Sequence, residues 1–207
     1  MLYTTNLVLL VGHTDFGDFS PRRVTIWSTK ENGVICSSWP FTSKISFAKL
    51  NKKRMIILER NNLHFYSTED MNMLHSIEVG CLTPDKLALS PSEKNNYLCF
   101  SSSNDEGVVK VYDLLYLTFK SSFQAHKSEI SQLTVNSKGD MLVTSSSKGT
   151  IFRIFALPNG DKLFTFKRGI SAAKILSINF SQDSRYIIST SDTGTLHVFD
   201  LMQDKEL

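Results

Sequence analysis

Two adjacent cations, Lys167 and Arg168, carry the most chemical promise in the chain, in the segment Phe166-Lys167-Arg168-Gly169. They follow a run that reads as a strand, Lys162 to Phe166, and precede the polar Ser171, which predicts a tight turn between repeats. Successive side chains of an extended segment point to opposite sides, so each cation can serve a separate pocket. The chemistry on offer is anion binding. Arginine presents a planar fork that bonds two phosphate oxygens at once, whereas lysine is a compact point charge.

Catalytic patterns are weak beside it. Gly12-His13-Thr14-Asp15-Phe16-Gly17 has the glycine spacing of a phosphate-binding loop, but Asp18 and Phe19 stand where Lys and Ser or Thr would touch phosphate and magnesium, so it reads as a turn. The sequence has no nucleophile elbow and no H-E-x-x-H. His13, His64, His75, His126 and His197 are dispersed, with no pair at metal-ligand spacing. No enzyme activity, metal or cofactor is expected. A second basic run, Lys49 with Lys52-Lys53-Arg54, lies between two apolar strands and reads as a solvated hairpin turn.

The elements that must position these residues are short strands. The chain has 207 residues, 41% hydrophobic and 21% charged, enough apolar mass for one domain or one repeat array. Its net charge of +3 is too mild to argue for nucleic acid or a general attraction to membranes, so anion binding must be local. Cys36, Cys81 and Cys99 lack close spacing and read as buried free thiols. The longest apolar run near the N-terminus, Leu7 to Val11, is far short of the roughly 20 residues of a membrane span. The expectation is a soluble protein of a reducing compartment.

One pattern recurs: an alternating apolar strand ending in an aromatic and then a small or polar residue. It appears as Val24 to Ser28, Leu63 to Ser67, Val109 to Asp113, Phe152 to Ala156 and Leu196 to Asp200. Its aromatics, Trp27, Tyr66, Tyr112, Phe155 and Phe199, are 39, 46, 43 and 44 residues apart. That brackets the ~40–45-residue period of four-stranded WD40-type blades. The last two intervals also hold a strand, a polar turn, a second strand and a Gly-Thr turn (Gly149-Thr150, Gly194-Thr195). Such alternation with frequent turns predicts antiparallel strands, and the motifs themselves read as outer strands. The fold class is therefore all-β, a WD40-type β-propeller, with 1–207 as a single domain and Ser101 to Gly107 as a loop of the third repeat.

Phe166-Lys167-Arg168-Gly169 resembles the FRRG motif of the PROPPIN family, propellers of autophagy that bind phosphoinositides. The similarity extends to Ala125-His126-Lys127 with Glu129-Ile130, to Ser146–Phe155 with Lys148-Gly149-Thr150 and Arg153, and to Tyr186–Phe199 with Gly194-Thr195-Leu196-His197. Near the start, Leu9-Leu10-Val11-Gly12 and Phe19-Ser20-Pro21-Arg22-Arg23 resemble the family's second blade.

The resemblance implies two head-group pockets, one either side of the FRRG-like turn. The first takes His126, Ser146, Lys148, Thr150, Arg153 and Lys167; the second takes Arg168 with Thr190, Ser191, Thr195 and His197. Hydroxyls donate to phosphate oxygens, cations neutralise them, and protonated histidine adds a donor at acidic pH. Lys167 stands where the family has arginine, keeping the charge without the fork. Pro21, Arg22 and Arg23 are implied to dock an autophagy protein of the lipid-transfer or conjugation machinery.

The implied function is recruitment to membranes carrying phosphatidylinositol 3-phosphate or the 3,5-bisphosphate during autophagosome assembly, on preautophagosomal, endosomal or vacuolar membranes of the cytoplasm. The resemblance implies seven blades, ~300 residues at this period, so about five repeats are expected here, without the first and last blades. Two other readings stay open. His126 suits the structural hydrogen-bond network of WD blades, and the whole chain suits a WD-repeat scaffold that binds proteins without lipid.

Overall fold

The alternating runs become antiparallel strands throughout. The structure is a computed structural model that describes residues 6–13, 20–37, 40–102 and 106–202, with the side chains of 35–37 outside the description. Much of the glycine-spaced segment after Gly12, and part of the Ser101 to Gly107 loop, therefore lie outside the described residues.

The chain divides into two compact units, Met1–Cys81 and Leu82–Leu207. The first unit has a three-stranded sheet of β1 (Leu7–Val11), β2 (Val24–Ser28) and β3 (Gly33–Ser37). Its second sheet has four strands, β4 (Ile45–Leu50), β5 (Arg54–Glu59), β6 (Asn62–Ser67) and β7 (Met73–Glu78). The second unit opens with a 3-10 turn, Pro84–Lys86, and the sheet β8 (Leu87–Leu89), β9 (Tyr97–Phe100), β10 (Val108–Asp113) and β11 (Thr118–Gln124). Next come β12 (Ile130–Val135), β13 (Met141–Ser146), β14 (Ile151–Ala156) and β15 (Asp161–Lys167), then β16 (Ile175–Phe180), β17 (Tyr186–Ser191) and β18 (Leu196–Asp200). In every sheet consecutive strands pair as antiparallel neighbours, the simplest order short turns allow. Among the described residues no helix is long and apolar enough to cross a membrane.

The five aromatic-ended motifs fall on β2, β6, β10, β14 and β18. Four of them are not the outer strands expected: β2 lies between β1 and β3, and β6, β10 and β14 are third of four with β7, β11 and β15 outside them, while β18 ends its three-stranded sheet. Burial explains the pattern. β6 and β10 are buried at four of six positions, whereas β7 is exposed at five of six and carries no readable alternation. Where the residue closing a motif is polar, as in all but the one ending at Ala156, it caps the following turn. Asp113 Oδ1 accepts from the Leu115 and Tyr116 amides, Ser67 Oγ from Glu69, and Ser28 Oγ from Glu31.

Period-two alternation also sends neighbouring side chains into different cores. Leu142 and Phe155 pack towards β8–β11 with Val109, Val111 and Cys99, while Val143, Phe152 and Ile154 pack towards β16–β18 with Phe166, Ile175 and Ile187. In the first unit Val24 and Ile26 meet Ile45, Met55, Ile57 and Tyr66. Each such side chain contributes on the order of 1.5–3 kcal/mol by leaving water.

Cys99 is fully buried, and burial pushes its thiol pKa up, so it stays protonated. Cys81 departs from expectation: it is exposed, because it lies in the connection after β7 and not within a strand. Neither forms a disulfide.

Candidate functional site

One cavity is made by the connection after β11 and by the β13–β14 hairpin. Its ≈ 200 Å³ is lined by His126, Lys127 and Ser128 after β11, by Ser146 and Lys148 around the β13–β14 turn, and by Thr150, Ile151 and Arg153 leading into β14. Five of the six residues expected in the first pocket therefore converge. Lys127 and Ser128 were not anticipated in that role, although they adjoin His126 in sequence. Lys167 does not line the cavity. It is the exposed last residue of β15, paired in register with Ile151. The alternation gives it the same face as Ile151 and Arg153, while Phe152 and Phe166 take the opposite face.

A glycine makes the turn possible. Gly149 has φ of 62°, and a Cβ there would stand 2.0 Å from the Ala173 carbonyl oxygen. The close approach lets the Ala173 amide donate to Lys148 O at 3.1 Å. It also aims Gly149 O at Arg168, whose Nε donates to it at 2.5 Å while Nη2 donates to Ser171 O at 2.5 Å. The Arg168 amide in turn donates to Thr150 O at 2.8 Å. The guanidinium is thus fixed by two carbonyls and retains three of its five N–H donors.

Arg153 is fixed in a similar way, through Nη1 to Ala125 O at 2.6 Å and to His126 Nδ1 at 3.4 Å. On its other side His126 Nε2 meets Thr144 Oγ1 at 3.0 Å. Both ring nitrogens are engaged. Burial and the neighbouring Arg153 charge push the imidazole pKa down to about 4. This corrects the expectation of a protonated donor: at mildly acidic pH His126 is neutral, and its contacts are those of a blade's internal network.

The second expected set is only partly assembled. Ser191 Oγ lies 3.1 Å from Thr195 Oγ1, which lies 3.2 Å from His197 Nε2. Thr193, which the sequence reading passed over, joins this chain at 2.8 Å from Ser191 and 3.0 Å from Thr195. Its signal was the run of alternating hydroxyls, Ser191, Thr193 and Thr195, in one turn. Thr190 is not among them. It bonds Ser177 at 2.8 Å and alternates with Ser191 along β17, so it faces the other side of the sheet. No hydrogen bond among the described residues joins Arg168 to the hydroxyl chain.

Pro21, Arg22 and Arg23 stand in the first unit, in the turn before β2. Pro21 is buried and the two arginines are exposed. Their backbone anchors the segment before β4: Ile45 N donates to Pro21 O and Phe41 N to Arg22 O, each at 2.8 Å. Lys52 and Lys53 lie in the hairpin turn between Lys49 on β4 and Arg54 on β5, where Asn51 Oδ1 accepts from the Lys53 and Arg54 amides. Among the described residues no group of three or more His, Cys, Asp or Glu could hold a metal ion.

The sequence pattern of the PROPPIN family matches residues 1–206. Autophagy-related protein 18 of Dictyostelium discoideum is 40% identical over 199 residues, which cover 96% of this chain and 53% of the relative. The protein of that name from Mycosarcoma maydis is 37% identical over 224 residues, covering 97% and 49%. The chain spans about half the length of the curated relatives it matches. Among solved structures, Kluyveromyces lactis Hsv2 matches with a TM-score of 0.82 at 23% identity, covering 99% of this chain and 61% of that one. A complex of KlAtg21 with the coiled-coil of AgAtg16 matches with a TM-score of 0.84 at 24% identity, covering 99% and 66%.

Proposed function

This chain belongs to the PROPPIN family and has its β-propeller fold, and on that premise we propose that it is a non-enzymatic adaptor that binds phosphoinositides, phosphatidylinositol 3-phosphate first, and so docks on membranes during autophagosome assembly. The observation that carries this reading is the pre-organised pair of arginines. Arg168 is held by two backbone carbonyls and Arg153 by the Ala125 carbonyl and the His126 ring, with the remaining donors available to an anion. Fixing a cation before the ligand arrives removes most of the ordering cost of binding it.

Lys148, Thr150 and Ser146 complete the first pocket, and Lys167 adds charge on the same face. The second pocket uses Arg168 with Ser191, Thr193, Thr195 and His197; the opposite facing of Thr190 assigns it no contact there. Two weak pockets that engage one membrane raise avidity by ~10²–10⁴ over either alone. Arg22 and Arg23, exposed beside buried Pro21, form the docking surface for a protein of the autophagy machinery.

Co-flotation of the 207-residue chain with liposomes tests the reading. Vesicles of phosphatidylcholine with phosphatidylinositol 3-phosphate are expected to carry the protein, plain phosphatidylcholine vesicles are not, and Lys167→Ala with Arg168→Ala is expected to abolish flotation while circular dichroism is unchanged. Undiminished flotation of the double variant, or none by the folded wild type, overturns the reading in favour of a scaffold that binds only protein.

A further inference from the structure

A second group of cations, in the first unit, is left unused by the lipid reading. Arg22, before β2, Lys44, before β4, and Arg60, in the β5–β6 turn, line one concavity of ≈ 540 Å³ together with Thr42, Ser43 and Ser46. Among the described residues none of the three cations is ion-paired. Holding three like charges around one space costs Coulomb energy that a bound anion would remove. The size is in the range of ligand-binding clefts, and the lining of cations and hydroxyls suits a charged guest over an apolar one.

Two further observations point to a ligand. Ser43 Oγ is buried and has no hydrogen-bond partner among the described residues, an arrangement proteins rarely leave unmet. Arg60 sits at φ of 51° in the two-residue turn between the paired Glu59 and Asn62. Such turns favour Asn, Asp or Gly, so an arginine held there is local strain of the kind that accompanies binding sites.

The nearby carboxylate does not fill the space. Glu59 Oε1 accepts from Thr42 Oγ1 at 2.8 Å and from the Ser43 amide, and Oε2 lies 3.3 Å from His64 Nε2. It is spent on holding the Thr42–Ser43 loop in place.

We propose that this concavity is an anion pocket for a phosphate monoester carried on a side chain of a partner polypeptide. The proposal rests on the reading of Pro21, Arg22 and Arg23 as a partner surface and names the chemistry recognised there. Arg22 and Arg60 each offer a fork to two phosphate oxygens, Lys44 supplies a point charge, and the exposed Ser46 supplies a hydroxyl. A lipid source is disfavoured by the surroundings: none of the exposed large apolar side chains of this unit, Val11, Val34, Met73 and Leu74, lines the pocket to enter a bilayer.

The test is amide-shift titration of the labelled 207-residue chain with four probes. These are the peptide Gly-Gly-phosphoserine-Gly-Gly, its unphosphorylated form, inorganic phosphate, and phosphatidylcholine vesicles containing phosphatidylserine. The phosphopeptide is expected to shift Arg22, Thr42 to Lys44 and Arg60 saturably. Arg60→Asn, which suits the left-handed turn and so preserves the fold, is expected to weaken binding about tenfold or more, and Lys44→Gln likewise. No saturable shift with the phosphopeptide, equal affinity for inorganic phosphate, or a response to the anionic vesicles in place of the peptide overturns the proposal. Flotation on phosphatidylinositol 3-phosphate vesicles by Arg60→Asn reads the lipid function separately, so failure of this pocket leaves that function standing and the reverse holds too.

Discussion

Arg153 donates through Nη1 to His126 Nδ1 at 3.4 Å, and this contact selects the imidazole tautomer. With Nδ1 an acceptor, the proton resides on Nε2 and is donated to Thr144 Oγ1, whose hydroxyl is left to donate to Arg153 O at 3.4 Å. The ring closes a loop that ties β13 and β14 to the segment after β11. A protonated imidazole would have to give up its bond from Arg153 and face a like charge.

Stability should therefore depend on pH through His126. Its folded value of about 4 lies below the ordinary 6.5, so between these values the unfolded chain takes up a proton that the folded chain refuses. The His126 contribution is whole above about pH 6.5 and fades as pH falls towards 4, by on the order of 3 kcal/mol. Urea midpoints measured from pH 7 to 4.5 should fall for the wild type with a steeper slope than for His126→Gln; equal slopes would sink the account.

Gly149→Ala and Gly194→Ala separate backbone strain from collision. Both glycines have positive φ, 62° and 72°, but a Cβ meets the Ala173 carbonyl at the first and nothing within 4 Å at the second. The left-handed conformation alone costs about 1–2 kcal/mol, so Gly194→Ala should lose that much and Gly149→Ala clearly more. Thermal midpoints that fall equally would contradict the close approach at Gly149.

Phe152, fully buried between the β12–β15 and β16–β18 sheets, stands 5.7 Å from the Phe199 ring in an edge arrangement. Its replacement by Ala should cost about 3–5 kcal/mol through lost burial and the cavity left behind. Leu163→Ala, on the exposed strand β15, should stay within about 0.5 kcal/mol of the wild type. Equilibrium denaturation of both variants measures the contrast.

Lys167→Arg should strengthen phosphoinositide binding several-fold. Lys167 shares the face of Arg153 but offers a single ammonium where a guanidinium could bond two oxygens. Titration with phosphatidylinositol 3-phosphate liposomes decides it, and an unchanged affinity would mean that residue 167 touches no phosphate.

Buried alternation made most of these strands legible. β14 writes it into the sequence because neighbouring sheets pack on each side of it, and β10 because Val109 and Val111 share one buried face. β7 and β11 were hard to see because they are mostly exposed, and exposed positions accept almost any residue. The first cavity came from the resemblance alone, and Ser146, Lys148, Thr150 and Arg153 meet there because they sit within eight residues on one hairpin.

The sequence by itself determined the repeat period, the all-β architecture and the cation pair, since these follow from local alternation, turn chemistry and residue type. Only the tertiary structure decided which groups meet. It turned Thr190 away from Ser191, a one-residue difference that flips a strand side chain to the opposite face. It buried His126 against Arg153, so that desolvation and a like charge set its protonation. It also brought Arg22, Lys44 and Arg60 around one space from three separate turns, a convergence that depends on strand pairing between residues far apart in the chain.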